Sequence, residues 1–322
     1  WGTGYLPLGT GFWDQNPVPK GKYPVPRAEN PVPKIDRRRL DMLTFGVRAH
    51  DMEKLPFEDL IEDIQGRGVE CIQLALRKSI SEFSVSNEAL TPGLGAYMKR
   101  ILDKNKIDVA VLGCYLNLAT PDEVQLQKNI ETYKANIRFA KYLGAGMVGT
   151  ETGAVNTEYK YSKENHSEEA LEIFIENLRP IVAYGEKLGV IIGIEPVATH
   201  IVSTVARAKK VIDAIDSPNL QIILDTVNLI STDNYKDQTK IMEEAFDVLQ
   251  EKISVIHLKD FIIENNEKKK APIGQGMLEL EKLLSLLKKH KPYIQVLMED
   301  INPSYINEAK EYINKIYDKI YL

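Results

Sequence analysis

The chain has 322 residues, 43% of them hydrophobic, and a formal net charge of −5. Its acidic and basic residues are interleaved without a basic stripe, which disfavours nucleic acid as the main partner. No apolar run reaches the roughly 18 residues of a membrane span, so we expect no membrane association. We expect a cytoplasmic protein, with a signal peptide removed upstream as the alternative, because the chain begins at Trp1 and not at Met.

The two cysteines, Cys71 and Cys114, lie in apolar runs. They are typical of buried thiols and permit neither a disulfide framework nor a zinc knuckle.

The first forty residues differ in composition from the rest. A Pro-Val-Pro pattern occurs three times, in NPVPK, YPVPR and a second NPVPK. It favours polyproline II, which has no hydrogen-bonded ladder and no amphipathic period. We predict an extended Pro-rich N-terminal arm over residues 1–40 and a catalytic domain over residues 41–322. A strap across a neighbouring subunit or over the mouth of a barrel is the alternative for the arm.

From Asp41 onwards, short apolar runs alternate with amphipathic helical patterns. Eight runs are typical of buried strands: Leu43–Val47, Cys71–Leu76, Val109–Gly113, Met147–Gly149, Val190–Ile194, Gln221–Leu224, Ser254–Ile256 and Ile294–Met298. Strict alternation implies right-handed βαβ units and a parallel sheet. Eight such units predict an α/β protein closed into a (β/α)8 TIM barrel. A doubly wound open sheet is disfavoured, because GVRAHD after the first run lacks the glycine-rich phosphate turn of that fold.

Potential metal ligands follow the last four apolar runs. They are Glu195 in IEPVATH, Asp225 in ILDTVNL, His257 in VIHLKDF and Glu299 in VLMED. Closure of a barrel would bring these strand ends together, and three carboxylates without a cation would repel one another strongly. A divalent cation would resolve this, and oxygen-rich ligation with one imidazole suits Mn²⁺, Mg²⁺, Co²⁺ or Zn²⁺. The alternative is that each acid caps the next helix or pairs with a lysine.

From about Leu43 to the C-terminus, the sequence resembles the xylose isomerase-like barrel superfamily, and within it the sugar phosphate isomerases and epimerases. The four motifs above stand where that family carries its metal ligands. The resemblance implies one divalent ion, Mn²⁺ first among the candidates, held by Glu195, Asp225, His257 and Glu299. It also implies that Glu195 and Glu299 are the catalytic acid/base pair, and that the protein is a dimer or tetramer.

The predicted chemistry is proton transfer at a carbon beside a carbonyl group. A metal would stabilise a cis-enediolate, and the two glutamates would remove and return the proton. We therefore predict an isomerase or epimerase whose partner is a small carbohydrate, either a sugar or a sugar phosphate. The residues predicted to bind substrate are Arg48, His50, Asn117, Glu151, His200, Asn228 and Lys259. Asn228 stands where free-ketose epimerases of the family often have histidine, which disfavours a multi-metal site.

Three other functions stay open at this point. A lyase or dehydratase acting on a keto-sugar or an oxidised glycoside would begin with the same proton abstraction. An AP endonuclease-like DNA-repair enzyme of the same superfamily would need histidines after the second, third and sixth runs, where Arg77, Asn117 and Asn228 stand. A catalytically silent sugar-binding barrel would need loss of the metal or of one glutamate.

Charged residues without an assigned role follow the seventh apolar run. Lys259 and Asp260 are adjacent, and their mutual ion pair is an alternative to a role of Lys259 in the site. The run Lys268 to Lys270 predicts a solvated loop tip. PIGQG, which comes next, is compatible with a plain turn or with a loop near the barrel mouth.

Overall fold

Eight parallel strands form a closed barrel in the computed structural model, which describes residues 43–321. The barrel strands are β1 (Thr44–Arg48), β2 (Cys71–Leu74), β3 (Asp108–Gly113), β4 (Met147–Glu151), β5 (Ile191–Glu195), β6 (Leu220–Asp225), β7 (Ile253–Leu258) and β10 (Gln295–Met298), and the strands β8 (Asp260–Glu264) and β9 (Glu267–Ala271) form a separate antiparallel pair. The order around the barrel is β1-β10-β7-β6-β5-β4-β3-β2, and β1 pairs with both β2 and β10 to close it. The predicted (β/α)8 TIM barrel is confirmed, whereas the predicted Pro-rich arm lies outside the described residues.

Helices connect successive strands of the barrel, and four of the described helices begin at a side chain that caps them. Within residues 43–321 the α-helices are α1 (Phe57–Gly66), α2 (Leu76–Ser79), α3 (Pro92–Asn105), α4 (Glu123–Leu143), α5 (Glu168–Leu188), α6 (Val205–Ile215), α7 (Gln238–Leu249), α8 (Leu280–His290) and α9 (Ile306–Tyr317). Side chains of Thr91, Asp122, Ser167 and Thr204 accept backbone N–H groups at the starts of α3 to α6. None of the described helices is both long and apolar enough to cross a membrane.

The interior of the barrel is packed with apolar side chains below its mouth. The inner cluster consists of Cys71, Ala110, Val111, Met147, Ile223, Val255 and Leu297. Ile223 and Val255 lie two residues before Asp225 and His257. Residues two apart lie on the same face of a strand, so the inward face of β6 and β7 is apolar in the barrel interior and polar at the carboxyl end. A Cβ at Gly193 would clash with the sulfur of Met147 and lie tightly against Ile223, which explains the glycine in the middle of β5. The packed base leaves the carboxyl ends of the strands as the place for a site.

The hairpin of β8 and β9 is an addition to the predicted alternation. The lysine run is exposed as predicted, but the prediction that it forms a loop tip is wrong, because these residues form β9. Lys268 Nζ donates to the carbonyl groups of Val227 and Ile230 at 2.8 and 2.5 Å. Lys270 Nζ lies 2.7 Å from Asp300 Oδ1. The hairpin is thereby tied to the loops after β6 and β10, beside the barrel mouth.

Candidate functional site

The four predicted metal ligands come together at the mouth of the barrel. Glu195 ends β5, Asp225 ends β6, His257 lies near the end of β7, and Glu299 follows β10. Asp225 and His257 are register partners on neighbouring strands. Each of the four is at most 5% exposed, and one ligand atom of each lies within 4.8 Å of the others. We call these four residues the carboxylate–histidine cluster.

The imidazole of His257 lies between two carboxylates without a well-formed hydrogen bond to either. Its Nδ1 is 3.2 Å from Glu195 Oε2 and 3.0 Å from Glu299 Oε1. Neither ring nitrogen has a hydrogen-bond partner among the residues that the structure describes. Buried polar atoms without partners are uncommon, and a ligand is one physical reason for them. Three carboxylates and one imidazole aimed at a common point fit a divalent cation.

Two cationic side chains, Lys259 and Arg48, compensate the negative charge of the buried carboxylates in the cluster. Lys259 Nζ lies 2.7 Å from Asp225 Oδ2 and 3.2 Å from Glu299 Oε2. Arg48 Nη1 lies 3.3 Å from Glu299 Oε2, and the same guanidinium pairs with two aspartates at the rim, Asp51 and Asp300. Because a buried carboxylate without a partner is costly, these cations help to keep the cluster in place.

Asp260 does not pair with Lys259, so the ion pair considered from the sequence is wrong. Its carboxylate is 3% exposed and accepts four backbone N–H groups, those of Phe261, Gly274, Gly276 and Leu278. A carboxylate held by several backbone donors fixes the loop that supplies them. Asp260 therefore organises the PIGQG segment, while Lys259 is left to the carboxylate–histidine cluster.

The two glutamates of the cluster have different electrostatic surroundings. Burial raises the pKa of Glu195, the neighbouring carboxylates Glu299 and Asp225 add to this, and His257 opposes it. Burial also acts to raise the pKa of Glu299, but His257, Lys259 and Arg48 outweigh it and hold that pKa well below its ordinary value. The cluster thus combines one carboxyl group whose pKa is raised with one whose pKa is lowered.

Asn228 lies against the cluster. Its Nδ2 donates to Glu195 Oε1 at 2.6 Å, and its backbone N–H donates to Asp225 Oδ1 at 3.0 Å. An amide donor fixes the orientation of the Glu195 carboxylate without adding a group that titrates near neutral pH. Its position is therefore suited to orienting Glu195.

Glu151 and His200 lie together at the ends of β4 and β5, where Glu151 is the register partner of Glu195. His200 Nδ1 is 3.8 Å from Glu151 Oε2, and Tyr159 Oη donates to the same oxygen at 3.4 Å. The Tyr159 and His200 rings lie 5.3 Å apart. Burial lowers the pKa of His200 against the opposing effect of Glu151. The backbone of Tyr159 has a φ of 58°, a strained conformation of the kind found at functional sites.

The other two predicted substrate-binding residues differ in how their polar atoms are used. The amide of Asn117 makes four hydrogen bonds to backbone groups of its own loop and of the loop after β4. These contacts favour a structural role for Asn117. His50, after β1, keeps a buried Nδ1 without a hydrogen-bond partner in the described part of the chain.

Three residues near the site were not predicted from the sequence: Gln73, Tyr115 and Tyr159. Gln73 is 2% exposed and donates from Nε2 to Tyr115 Oη. A glutamine inside the apolar run CIQLAL was a usable signal, because a strand buried on both faces rarely holds an amide without a purpose. Tyr159 gave no such signal, since it lies in a loop without periodicity.

Comparisons with known proteins agree with this fold. A family model described as xylose isomerase-like TIM barrel matches residues 61–316. A probable L-ribulose-5-phosphate 3-epimerase of Mycoplasma pneumoniae is 24% identical over 185 residues, which make up 56% of this chain and 55% of the relative. The chain spans about half the length of the curated relatives that it matches.

Solved structures also resemble the barrel. A D-tagatose 3-epimerase-like protein superimposes with a TM-score of 0.68 at 20% identity, over 86% of this chain and 97% of the other. The IolI protein with a binding zinc atom gives a TM-score of 0.65 at 19% identity, over 87% and 99%. These likenesses support the fold, and the family match extends over more than half of the sequence. The chain belongs to the xylose isomerase-like TIM barrel family, whose fold its eight parallel strands reproduce.

Proposed function

We propose that this protein is a divalent-metal-dependent isomerase or epimerase of a sugar or a sugar phosphate. The observation that carries the proposal is the carboxylate–histidine cluster, in which two glutamates from opposed parts of the barrel flank one buried imidazole. The names of the similar epimerases support the same substrate class. The ligand types fit one ion, for which Mn²⁺, Mg²⁺, Co²⁺ and Zn²⁺ are the candidates.

Glu195, Asp225, His257 and Glu299 would hold the ion. When bound, it would supply a positive charge that polarises the carbonyl and hydroxyl oxygens of an α-hydroxy ketone or aldehyde. Glu195 and Glu299 then form the acid/base pair: one takes the proton from the carbon beside the carbonyl group, and the other returns a proton. Asn228 keeps Glu195 in the required orientation through its 2.6 Å hydrogen bond.

The place to which the proton returns decides the reaction. Return to the opposite face of the same carbon gives epimerisation, and return to the neighbouring carbon gives aldose–ketose isomerisation. Arg48, His50, Glu151, His200 and Lys259 surround the mouth and are proposed to contact the substrate oxygens. Elimination from a keto-sugar shares the first step, so a product analysis has to accompany any measurement of proton abstraction.

Proton exchange is the measurement that tests the proposal. The full chain, loaded with Mn²⁺, is incubated in D₂O with ketoses and ketose phosphates, and deuterium beside the carbonyl is followed by NMR. We expect exchange with at least one substrate, about one metal ion per chain, and a loss of exchange of about 10³-fold or more in Glu195→Gln, as is typical for an essential general acid or base.

The control is Glu172→Gln, which changes an exposed glutamate on α5. It should bind metal and exchange protons as the unchanged protein does. Full exchange in Glu195→Gln, or no exchange with any substrate together with no bound metal, would overturn the proposed function.

A further inference from the structure

The ends of β1, β2 and β3 carry polar groups that take no part in the proposed proton transfer. Gln73 on β2 is the register partner of Arg48, whose side chain reaches Glu299, so both side chains project into the barrel. Gln73 is 2% exposed, and its Oε1 has no hydrogen-bond partner within residues 43–321. His50 Nδ1 is in the same state. Buried polar atoms that lack partners are uncommon, and a bound ligand is one physical reason for them.

Lys78, after β2, is an exposed cation without an acidic partner among residues 43–321. Its Nζ lies 5.0 Å from the centre of the Tyr115 ring, and no carboxylate of the described residues pairs with it. By contrast, Arg48, Lys259 and Lys270, which also lie at the mouth, all pair with carboxylates. Lys78 therefore contributes a positive charge that is not compensated locally.

The neighbouring histidine, His50, is held in its neutral form mainly by burial. The pKa of His50 is lowered to about 4, chiefly by burial and next by the charge of Arg48; Lys78 has a smaller effect in the same direction, while Asp51 and Glu299 act to raise the pKa. His50 is neutral at pH 7 and has a hydrogen-bonding ring nitrogen available for a ligand.

Tyr115 joins this region to the carboxylate–histidine cluster. Its hydroxyl accepts from Gln73 Nε2. Burial raises its pKa, and the carboxylates of Glu195 and Glu299 raise it further, so the phenol lies within their field. Tyr115 also borders a cavity of about 170 Å³, whose lining includes the two cations Arg77 and Lys78 and the polar side chains of Thr132 and Asn136 besides apolar residues. Tyr115 thus lies between the carboxylate–histidine cluster and this cavity.

We propose that Gln73, Lys78, His50 and Tyr115 form a subsite for a terminal anionic group of the substrate, a phosphate or a carboxylate. The carboxylate–histidine cluster would act on the carbonyl end of the same molecule. Lys78 supplies the charge, and the Gln73 carbonyl and the His50 ring bind hydroxyl groups next to the anion. This assignment rests on the proposed function, and it narrows the substrate class to acidic sugars.

The test compares a neutral ketose, its terminal phosphate and the corresponding keto-acid sugar. Exchange in D₂O gives kcat/KM for each with the unchanged protein, Lys78→Met, Lys78→Arg and Lys236→Met. Lys236 is a matched control, because it is exposed and lies 5.7 Å from a tyrosine ring centre. The anionic substrate should be preferred, and Lys78→Met should reduce that preference by about tenfold to a hundredfold, the loss of one charge-assisted hydrogen bond. Lys78→Arg should largely restore it, and Lys236→Met should not change it.

Calorimetry measures the binding of inorganic phosphate and of the ketose phosphate to the metal-loaded protein. It tests the proposed subsite even if no substrate is turned over. Weaker binding in Lys78→Met and unchanged binding in Lys236→Met support the subsite. Equal preference and equal binding in all four proteins overturn it, even if exchange with the neutral ketose upholds the proposed function. A phosphate response without a carboxylate response, or the reverse, identifies which anion the subsite takes.

Discussion

Replacing Lys259 with methionine removes one of the two cations that compensate the buried carboxylates. Its ammonium group lies 2.7 Å from Asp225 and 3.2 Å from Glu299, and its side chain is 14% exposed. At 2.7 Å, an ion pair is worth about 6 kcal/mol at an effective dielectric constant of about 20. Desolvation of the ammonium group offsets part of this, and loss of one partner of a buried pair usually costs about 3–5 kcal/mol. We expect Lys259→Met, freed of metal, to lose about 3 kcal/mol of its free energy of unfolding.

The same substitution should strengthen metal binding. Lys259 lies against two of the proposed ligands, so its positive charge repels a divalent ion held by them. Removal of this charge raises the affinity, and it also removes the stabilisation that the metal-free protein relies on. Metal should therefore raise the free energy of unfolding more in the variant than in the unchanged protein.

Chemical denaturation with EDTA and with Mn²⁺, together with metal titration by calorimetry, measures both effects. Lys252→Met is the control, since Lys252 Nζ donates to the Ser217 carbonyl group and not to a carboxylate. That control should lose only about 1 kcal/mol, and its metal affinity should not change. If Lys259→Met is as stable as the control without metal, or binds metal more weakly than the unchanged protein does, the charge-compensation argument fails.

Two further substitutions test other parts of the mouth. Because the pKa of His50 is lowered to about 4 in the folded protein, protons bind the unfolded chain more readily as the pH falls below about 6.5. The metal-free protein should thus lose about 2 kcal/mol between pH 7 and pH 5 from this group, a loss absent from His50→Gln in denaturation at both pH values; equal losses would contradict the prediction. Asp260→Asn turns an NH₂ group towards two of the four backbone donors, so we expect a loss of about 3 kcal/mol. It should also speed proteolysis near Gly274 and Gly276, and an unchanged digestion rate would count against the assigned role.

The barrel and the cluster were predictable because buried parallel strands leave a simple pattern. A strand covered on both faces is a continuous apolar run, and its first polar residue marks the end that faces the mouth. Glu195, Asp225, His257 and Glu299 each follow such a run, and all four lie in the predicted place. The pattern gives the end of each strand but not its neighbours in space, so the pairing of Arg48 with Glu299 was not foreseen.

The hairpin shows why composition alone misleads. Three consecutive lysines suggest a solvated tip, but the chain places their long side chains along a strand pair. Lys268 then reaches two carbonyl groups of the β6 loop, and Lys270 reaches Asp300. A lysine stem can lie along the protein surface while its ammonium group binds at a distance. The partners come from loops far away in sequence, and no local pattern contains them.

In the sequence HLKD, by contrast, the direction of each side chain could have been predicted from the strand alternation. Side chains alternate between the two faces of an extended strand, so residues two apart share a face and adjacent residues do not. His257 points to the cluster, and the same alternation directs Lys259 to it and Asp260 away from it. The structure follows this order, with Lys259 at Asp225 and Glu299 and Asp260 at four backbone N–H groups. The strand face that holds the imidazole of His257 therefore also holds the ammonium group of Lys259. The two-residue period of the strand thus places this positive charge in the site.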